Sequence, residues 1–220
     1  MEKVIIVQAD KRKTIVIVNA KEYPKKVHTF VMDNNFHMIQ KDPTTKYQQL
    51  IHRTLQQCNL IIDKKKIKYL IQQKPSTPTI KAQLKLHNTG IPIRPIINNV
   101  KAPTYNISKH IVKLLDKDIT LNNQYNIRNF TSLAADLVKL NLSKDHQLIT
   151  YDIRDLYVNI PIEETLTITK SMLLKKNKCT RNTTNNNIME AVLSQNYFMF
   201  QNKIYQPQKE SQWAHQFVAL

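Results

Sequence analysis

The chain has 220 residues, which is enough for one large domain or for part of a larger one. Lys and Arg outnumber Asp and Glu by 33 to 16, and the resulting charge of +17 indicates an anionic partner, most often nucleic acid. An AT-rich gene, whose codons favour Lys, Asn and Ile, is the competing explanation for this composition. The single glycine, Gly90, excludes glycine-rich dinucleotide-binding and phosphate-binding loops.

Cysteine and histidine usage argues against a metal cluster or a disulfide framework. Cys58 and Cys179 lie far apart without a C-x-x-C partner, and the histidines are scattered. No apolar run approaches the roughly 20 residues of a membrane span, and Val4–Val7 is too short for a signal peptide. These features predict a soluble, intracellular chain without a membrane partner. They leave open its oligomeric state and whether it acts in the nucleus or the cytoplasm.

The apolar spacing predicts alternating helices and strands, and therefore an α/β (α+β) fold. The β-branched run Thr14–Val18 predicts a buried strand, and acidic residues after Pro161 favour a helix start there. The other predicted strands are Gln147–Asp152 and Tyr197–Tyr205. The predicted helices are Lys21–Met32, Thr44–Leu60, Lys64–Gln73, Pro103–Leu115, Arg128–Leu140, residues 161–176 and Ile188–Gln195.

The clearest local prediction is a β-hairpin over Ile80–Ile97. Apolar and polar residues alternate strictly over residues 80–87, which is the period of a half-buried strand. Asn88-Thr89-Gly90 supplies the turn, where glycine takes a positive φ at the lowest cost. Lys85 on the first strand and Arg94 on the second give this hairpin a basic surface, which on charge alone also fits an ordinary solvated face.

The stretch from Tyr151 to Tyr157 is the most informative for chemistry. Asp152 ends a predicted strand, a position that presents a carboxylate rigidly, and Tyr157 follows after the chain has turned. In a polymerase palm, such an aspartate binds the Mg²⁺ that bridges the triphosphate and the attacking oxygen. The spacing alone is common, and an aspartate that caps the following turn is the alternative.

Three stretches in order carry a family resemblance. They read I-P-I-R-P-I at 91–96, A-P-T-Y-N-I-S-K at 102–109, and Y-D-I-R-D-L-Y-V-N-I-P-I at 151–162. Together they resemble the reverse transcriptase of Penelope-like retroelements, whose stretches read R-P-I, S-P-T-Y-N-L-[SA]-K and F-D-V-x-S-L-[FY]-T-N-I-P. The opening Ala9-Asp10-Lys11 also resembles that family, and the resemblance extends to about Lys209.

The resemblance implies a role for individual residues. Asp152 would be the first catalytic aspartate, and the Ile153 carbonyl a neighbouring ligand of Mg²⁺. Tyr157 would be the aromatic residue that selects deoxynucleotides. Lys85 and Arg94 would hold the triphosphate, since Arg grips phosphate bidentately and Lys acts as a point charge. The implied partners are an RNA template, a DNA primer and deoxynucleoside triphosphates.

The resemblance also implies a domain organisation. Residues 1–145 would be a fingers-like region that contains the basic hairpin 80–97, and residues 146–209 a partial palm of a right-hand polymerase. When residues 210–217 are back-translated and the frame is shifted by one nucleotide before Glu210, the possible codons accommodate the family's G-x-A-M-G-S-P motif. Residues 210–220 are therefore predicted to be out-of-frame sequence, and a divergent tail is the alternative.

Departures from the family pattern limit the expected activity. Gln83-Leu84-Lys85 stands where the family has L-P-K, and the glycine after A-D-K is absent at Arg12. No Asp-Asp pair occurs, so the second catalytic motif Y-x-D-D is missing. Two-metal transfer needs carboxylates from two places, and the chain is therefore expected to be inactive alone. The alternatives are a non-catalytic nucleic-acid-binding protein and a degenerate product without function.

Overall fold

The structure, a computed structural model, describes residues 3–11, 14–58, 62–118, 126–127, 129–141, 143, 145–152, 160–174 and 187–208. Helices and strands are mixed along this part of the chain, as the sequence predicts. The strands are β1 (Val4–Gln8), β2 (Ile15–Asn19), β3 (Phe36–Ile39), β4 (Thr79–Leu84), β5 (Ile93–Asn98), β6 (Phe198–Phe200) and β7 (Lys203–Pro207). The helices are α1 (Glu22–Asp33), α2 (Thr44–Gln57), α3 (Lys64–Leu70), α4 (Tyr105–Asp118), α5 (Phe130–Val138), α6 (Ile162–Leu174) and α7 (187–193).

The strands form two sheets. β1 and β2 make a two-stranded antiparallel sheet, and the other five strands follow the order β3-β7-β6-β4-β5. All neighbours in the larger sheet are antiparallel except β4 and β6, which meet in parallel at Thr79 and Met199. β6 and β7, from the predicted partial palm, thus share a sheet with strands of the predicted fingers-like region.

Two apolar clusters stabilise this arrangement. In the sheet cluster, Val27 and Val31 of α1 cover one face of the larger sheet, where Phe198 is the largest fully buried side chain. In the helical cluster, side chains of α2, α3, α4, α6 and α7 pack together, with Leu55 and Ile107 completely buried. Helices with one apolar stripe are stable because that stripe is removed from water.

A polar network joins the start of α2 to the residues that precede β4 and β6. Thr44 donates to Asp42 through its amide and its hydroxyl, at 2.8 and 2.5 Å, and Thr77 also donates to Asp42. Tyr197 donates to Thr44 at 2.8 Å and stacks on Tyr47. Burial works to raise the pKa of Asp42, but the hydrogen bonds from Thr44 and Thr77 outweigh it and lower that pKa. Burial raises the pKa of the Tyr197 hydroxyl well above its usual range.

Most predicted elements are confirmed within a few residues. The run Thr14–Val18 does form a strand, β2, but the prediction that it is buried is wrong, because Ile15 and Ile17 are exposed. The hairpin pairs Ile80 with Ile97 and Leu84 with Ile93, as the alternation predicts. The segment Tyr197–Tyr205 is two strands, because Gln201 and Asn202 both take a positive φ and form a tight turn between β6 and β7. β1 and β3 were not predicted. The predicted out-of-frame tail at 210–220 lies outside the described residues.

The predicted strand Gln147–Asp152 is wrong. Residues 145–152 are irregular and exposed, and Leu148 and Ile149 remain 68% and 62% accessible to solvent. A strand exists only where a neighbouring strand satisfies its backbone N–H and C=O groups. Within the described chain, these residues pair with no strand of either sheet. The strand propensity of this segment is therefore not realised, because no neighbouring strand of the described chain pairs with it.

Candidate phosphate-binding site

The exposed face of the β4–β5 hairpin brings the two predicted phosphate-binding side chains together. Arg94 pairs directly with Gln83, and directly paired residues share a face of the sheet. Lys85 is two residues after Gln83 and therefore projects from the same face. Arg94 is exposed and Lys85 is half-buried, and the same face also carries the exposed Lys81.

A buried carboxylate lies beside this face. Ala9 forms a parallel bridge with Leu84, and the Asp10 amide donates to the Leu84 carbonyl at 3.0 Å. Because Ala9 and Leu84 are both buried, the next residue, Asp10, turns to the opposite face, where Arg94 lies. The Asp10 Oδ1 is 2.8 Å from Arg94 Nη1, and the Asp10 side chain is only 1% exposed.

This ion pair orients the guanidinium of Arg94. Among the described residues, neither carboxylate oxygen of Asp10 accepts an aligned hydrogen bond, and Arg94 is the cation paired with it. The Arg94 side chain is 52% exposed. A guanidinium has five N–H donors, and those turned away from Asp10 are free to bind an anion bidentately. Lys85 supplies a second positive charge for the same anion.

The turn of the hairpin is held in an unusual backbone conformation. Gly90 has a φ of 75°, as its position in the turn predicts, and Ile91 has a φ of 48°. A β-branched residue rarely occupies this left-handed region. Lys26 of α1 donates to the carbonyls of Gly90 and Ile91 at 3.0 and 2.9 Å. These two hydrogen bonds fix the turn and attach the hairpin to α1.

The predicted catalytic stretch is not joined to the hairpin in the described chain. Asp152 is exposed in the irregular segment after Tyr151, whose side chain is 91% exposed. The prediction that a strand presents Asp152 rigidly is therefore wrong. Ile153 and Tyr157, the predicted metal ligand and sugar-contacting residue, lie outside the described residues.

Only part of the Mg²⁺ site that the resemblance implies lies within the described residues, because Asp152 is described and Ile153 is not. Among them, no three His, Cys, Asp or Glu side chains come together where they could hold a metal ion. Two-metal catalysis requires carboxylates from separate segments at one place. We therefore derive no reaction step through Mg²⁺.

Sequence reasoning missed two residues of this site. Asp10 belongs to the Ala9-Asp10-Lys11 stretch, but its partner Arg94 is distant in the sequence and no local pattern links them. Lys26 contacts the hairpin turn only because α1 packs on that sheet. An acidic residue three positions after the apolar run Val4–Val7 was a signal that could have marked Asp10.

Comparison with protein-family models, curated proteins and solved structures finds no match to this chain. Among the described residues, no helix has the length and apolar character needed to cross a membrane.

Proposed function

We propose that this chain carries the fingers-like and partial-palm regions of a retroelement reverse transcriptase. In this proposal, the exposed face of the β4–β5 hairpin binds the triphosphate of a deoxynucleotide, and the chain does not extend a primer by itself. The observation that carries the proposal is the placement of Lys85 and Arg94 on one face, with Arg94 oriented by the buried Asp10.

Electrostatics supports an anionic ligand at this hairpin. The chain has a net charge of +17, which raises the local concentration of anions and their rate of association. A lysine and an arginine on a paired-strand face offer a point charge and a bidentate donor to neighbouring phosphates. The family resemblance of the sequence assigns the same two residues to the triphosphate.

The placement of Asp152 supports the proposal that the chain by itself does not catalyse nucleotide addition. An exposed aspartate in an irregular segment is not held within the short distances that nucleotidyl transfer requires. The sequence also contains no Asp-Asp pair to supply the second group of carboxylates. A phosphate-binding protein without polymerase activity is therefore the second candidate, and it shares the hairpin site with the first.

We expect no extension of a DNA primer on an RNA template, with Mg²⁺ or Mn²⁺, above the level of an Asp152→Ala variant. The physical reason is that one carboxylate cannot hold two metal ions roughly 4 Å apart. Extension is measured by the length of a labelled primer on a denaturing gel.

A complete reverse transcriptase assayed on the same primer and template serves as the positive control. Clear extension by the native chain that the Asp152→Ala change abolishes would contradict the claim that the chain is inactive alone. Extension that the change leaves intact would indicate a contaminating polymerase, and the native chain would then still show none of its own.

A further inference from the structure

A second basic surface lies on α3 and α4, on different elements from the hairpin. The α3–α4 basic face consists of Lys66 and Tyr69 on α3 and of Lys109, His110, Lys113 and Lys117 on α4. The Asn106 side-chain amide donates to the Tyr69 carbonyl at 3.3 Å, which joins the two helices. Beneath them, Ile67 and Ile107 pack in the helical cluster, so the two helices form one supported surface.

Positive charges from both helices converge on this face. His110 is half-buried, and burial is the main cause that lowers its pKa. The positive charges of Lys66 and Lys113 lower this pKa further. The two ion pairs found in the described chain, Arg94–Asp10 and Lys139–Asp136, lie elsewhere. Asp116 is exposed on α4 but takes no part in either pair. Neither ion pair of the described chain therefore involves the lysines of this face, and an anionic partner matches its charge.

The spacing of the lysines along α4 matches a linear anion. Lys109, Lys113 and Lys117 are exposed and recur every four residues, so they form one stripe along the helix. A rise of about 1.5 Å per residue places them over about 12 Å. That length lets the stripe contact several consecutive phosphates of one strand.

Aromatic side chains stand beside the lysines. The Tyr69 side chain is 77% exposed and follows Lys66 by three residues, so the two are neighbours on α3. At the start of α4, the Lys109 ammonium lies 5.3 Å from the centre of the Tyr105 ring. Exposed aromatic rings next to cations are the usual means of binding unpaired bases and their phosphates together.

We propose that the α3–α4 basic face binds a single strand of nucleic acid, with the lysines of α4 on its phosphates and Tyr69 stacked on a base. This site goes beyond the triphosphate site of the hairpin, because it takes a polymer rather than one nucleotide. It does not depend on Lys85 or Arg94, and either site can exist without the other. RNA and DNA share the required chemistry, so both strands are probes for it.

The test compares two double variants of the full chain that remove the same charge. Lys109→Gln with Lys113→Gln alters the proposed site, and Lys46→Gln with Lys203→Gln changes exposed lysines on α2 and β7. Fluorescence anisotropy with a short labelled single-stranded RNA, and with the DNA of the same sequence, gives the affinity across a range of salt concentrations. Circular dichroism melting confirms that each variant is folded.

We expect the α4 double variant to lose about tenfold in affinity at low salt, and its slope of log K against log salt to fall by about 1.4. The α2 and β7 variant keeps most of the native affinity and slope. Tyr69→Ala weakens binding of the single strand more than that of a duplex, whereas Tyr69→Phe retains it. Equal binding of RNA and DNA supports recognition through phosphate and stacking, and a strong preference for RNA would add a role for the 2′-hydroxyl.

Equal losses in the two double variants would overturn the proposal, because they would reflect net charge rather than a site. Vesicles of phosphatidylserine provide the other test. Binding to them that the α4 variant abolishes, and that the single strand does not displace, would assign this face to a lipid surface instead. Loss of strand binding with an intact triphosphate affinity would leave the proposed hairpin function standing.

Discussion

The Arg94→Gln variant is expected to unfold at a lower urea concentration than the native chain, with a loss of about 2 kcal/mol in the free energy of unfolding. The change leaves the carboxylate of Asp10, which is 1% exposed, without its compensating charge. Breaking a fully buried pair costs about 3–5 kcal/mol. The smaller value applies because half of the Arg94 side chain reaches water, which screens the pair.

A second substitution separates this cause from a general effect of the mutation. In the double variant Asp10→Asn with Arg94→Gln, no charge is buried, and most of the lost stability should return. Lys81→Gln on the same hairpin face is the matched control, and as an exposed substitution it should change stability by less than about 0.5 kcal/mol. A double variant as unstable as Arg94→Gln alone would contradict the role assigned to Asp10.

The Phe198→Ala variant is expected to be the most destabilised, by about 3–5 kcal/mol. Phe198 is 1% exposed in β6, and its ring centre lies 5.0 Å from that of Phe36 and 5.8 Å from that of Tyr205. Removing the ring leaves a cavity between α1 and the sheet that the neighbouring side chains can fill only in part. Chemical denaturation followed by circular dichroism measures this loss.

Met199 provides the comparison within the same strand. It is half-buried, and as the next residue of β6 it points to the opposite face of the sheet. Met199→Ala should therefore cost less than half as much as Phe198→Ala. Similar losses for the two variants would mean that α1 does not cover the face on which Phe198 lies.

The hairpin could be predicted from the sequence because its signals are local. Strict alternation over residues 80–87 sets which side chains are buried, and Gly90 marks the turn. The stripe of apolar residues in Pro103–Leu115 likewise predicted α4, since a helix forms its hydrogen bonds within the segment itself. Lys85 and Arg94 were placed on one basic hairpin for the same reason.

The features that the sequence did not predict depend on distant partners. The segment Gln147–Asp152 has the composition of a strand, but in the described chain no other strand pairs with it. The Asp10–Arg94 ion pair exists only because β1 ends beside β4, which is a property of the sheet order. Tertiary contacts of this kind override local propensity, and one sequence alone does not contain them.

The most direct test of the account is a calorimetric titration of the chain with a deoxynucleoside triphosphate. The titration is carried out on the native chain and on the Lys85→Gln and Lys203→Gln variants. Lys85 directly follows β4 and Lys203 is the first residue of β7, but only Lys85 lies on the hairpin face with Arg94. We predict that the native chain binds the triphosphate, that Lys85→Gln weakens binding about tenfold, and that Lys203→Gln leaves it unchanged. Equal affinity in all three, or no binding by the native chain, would contradict the assignment of the hairpin as a triphosphate site.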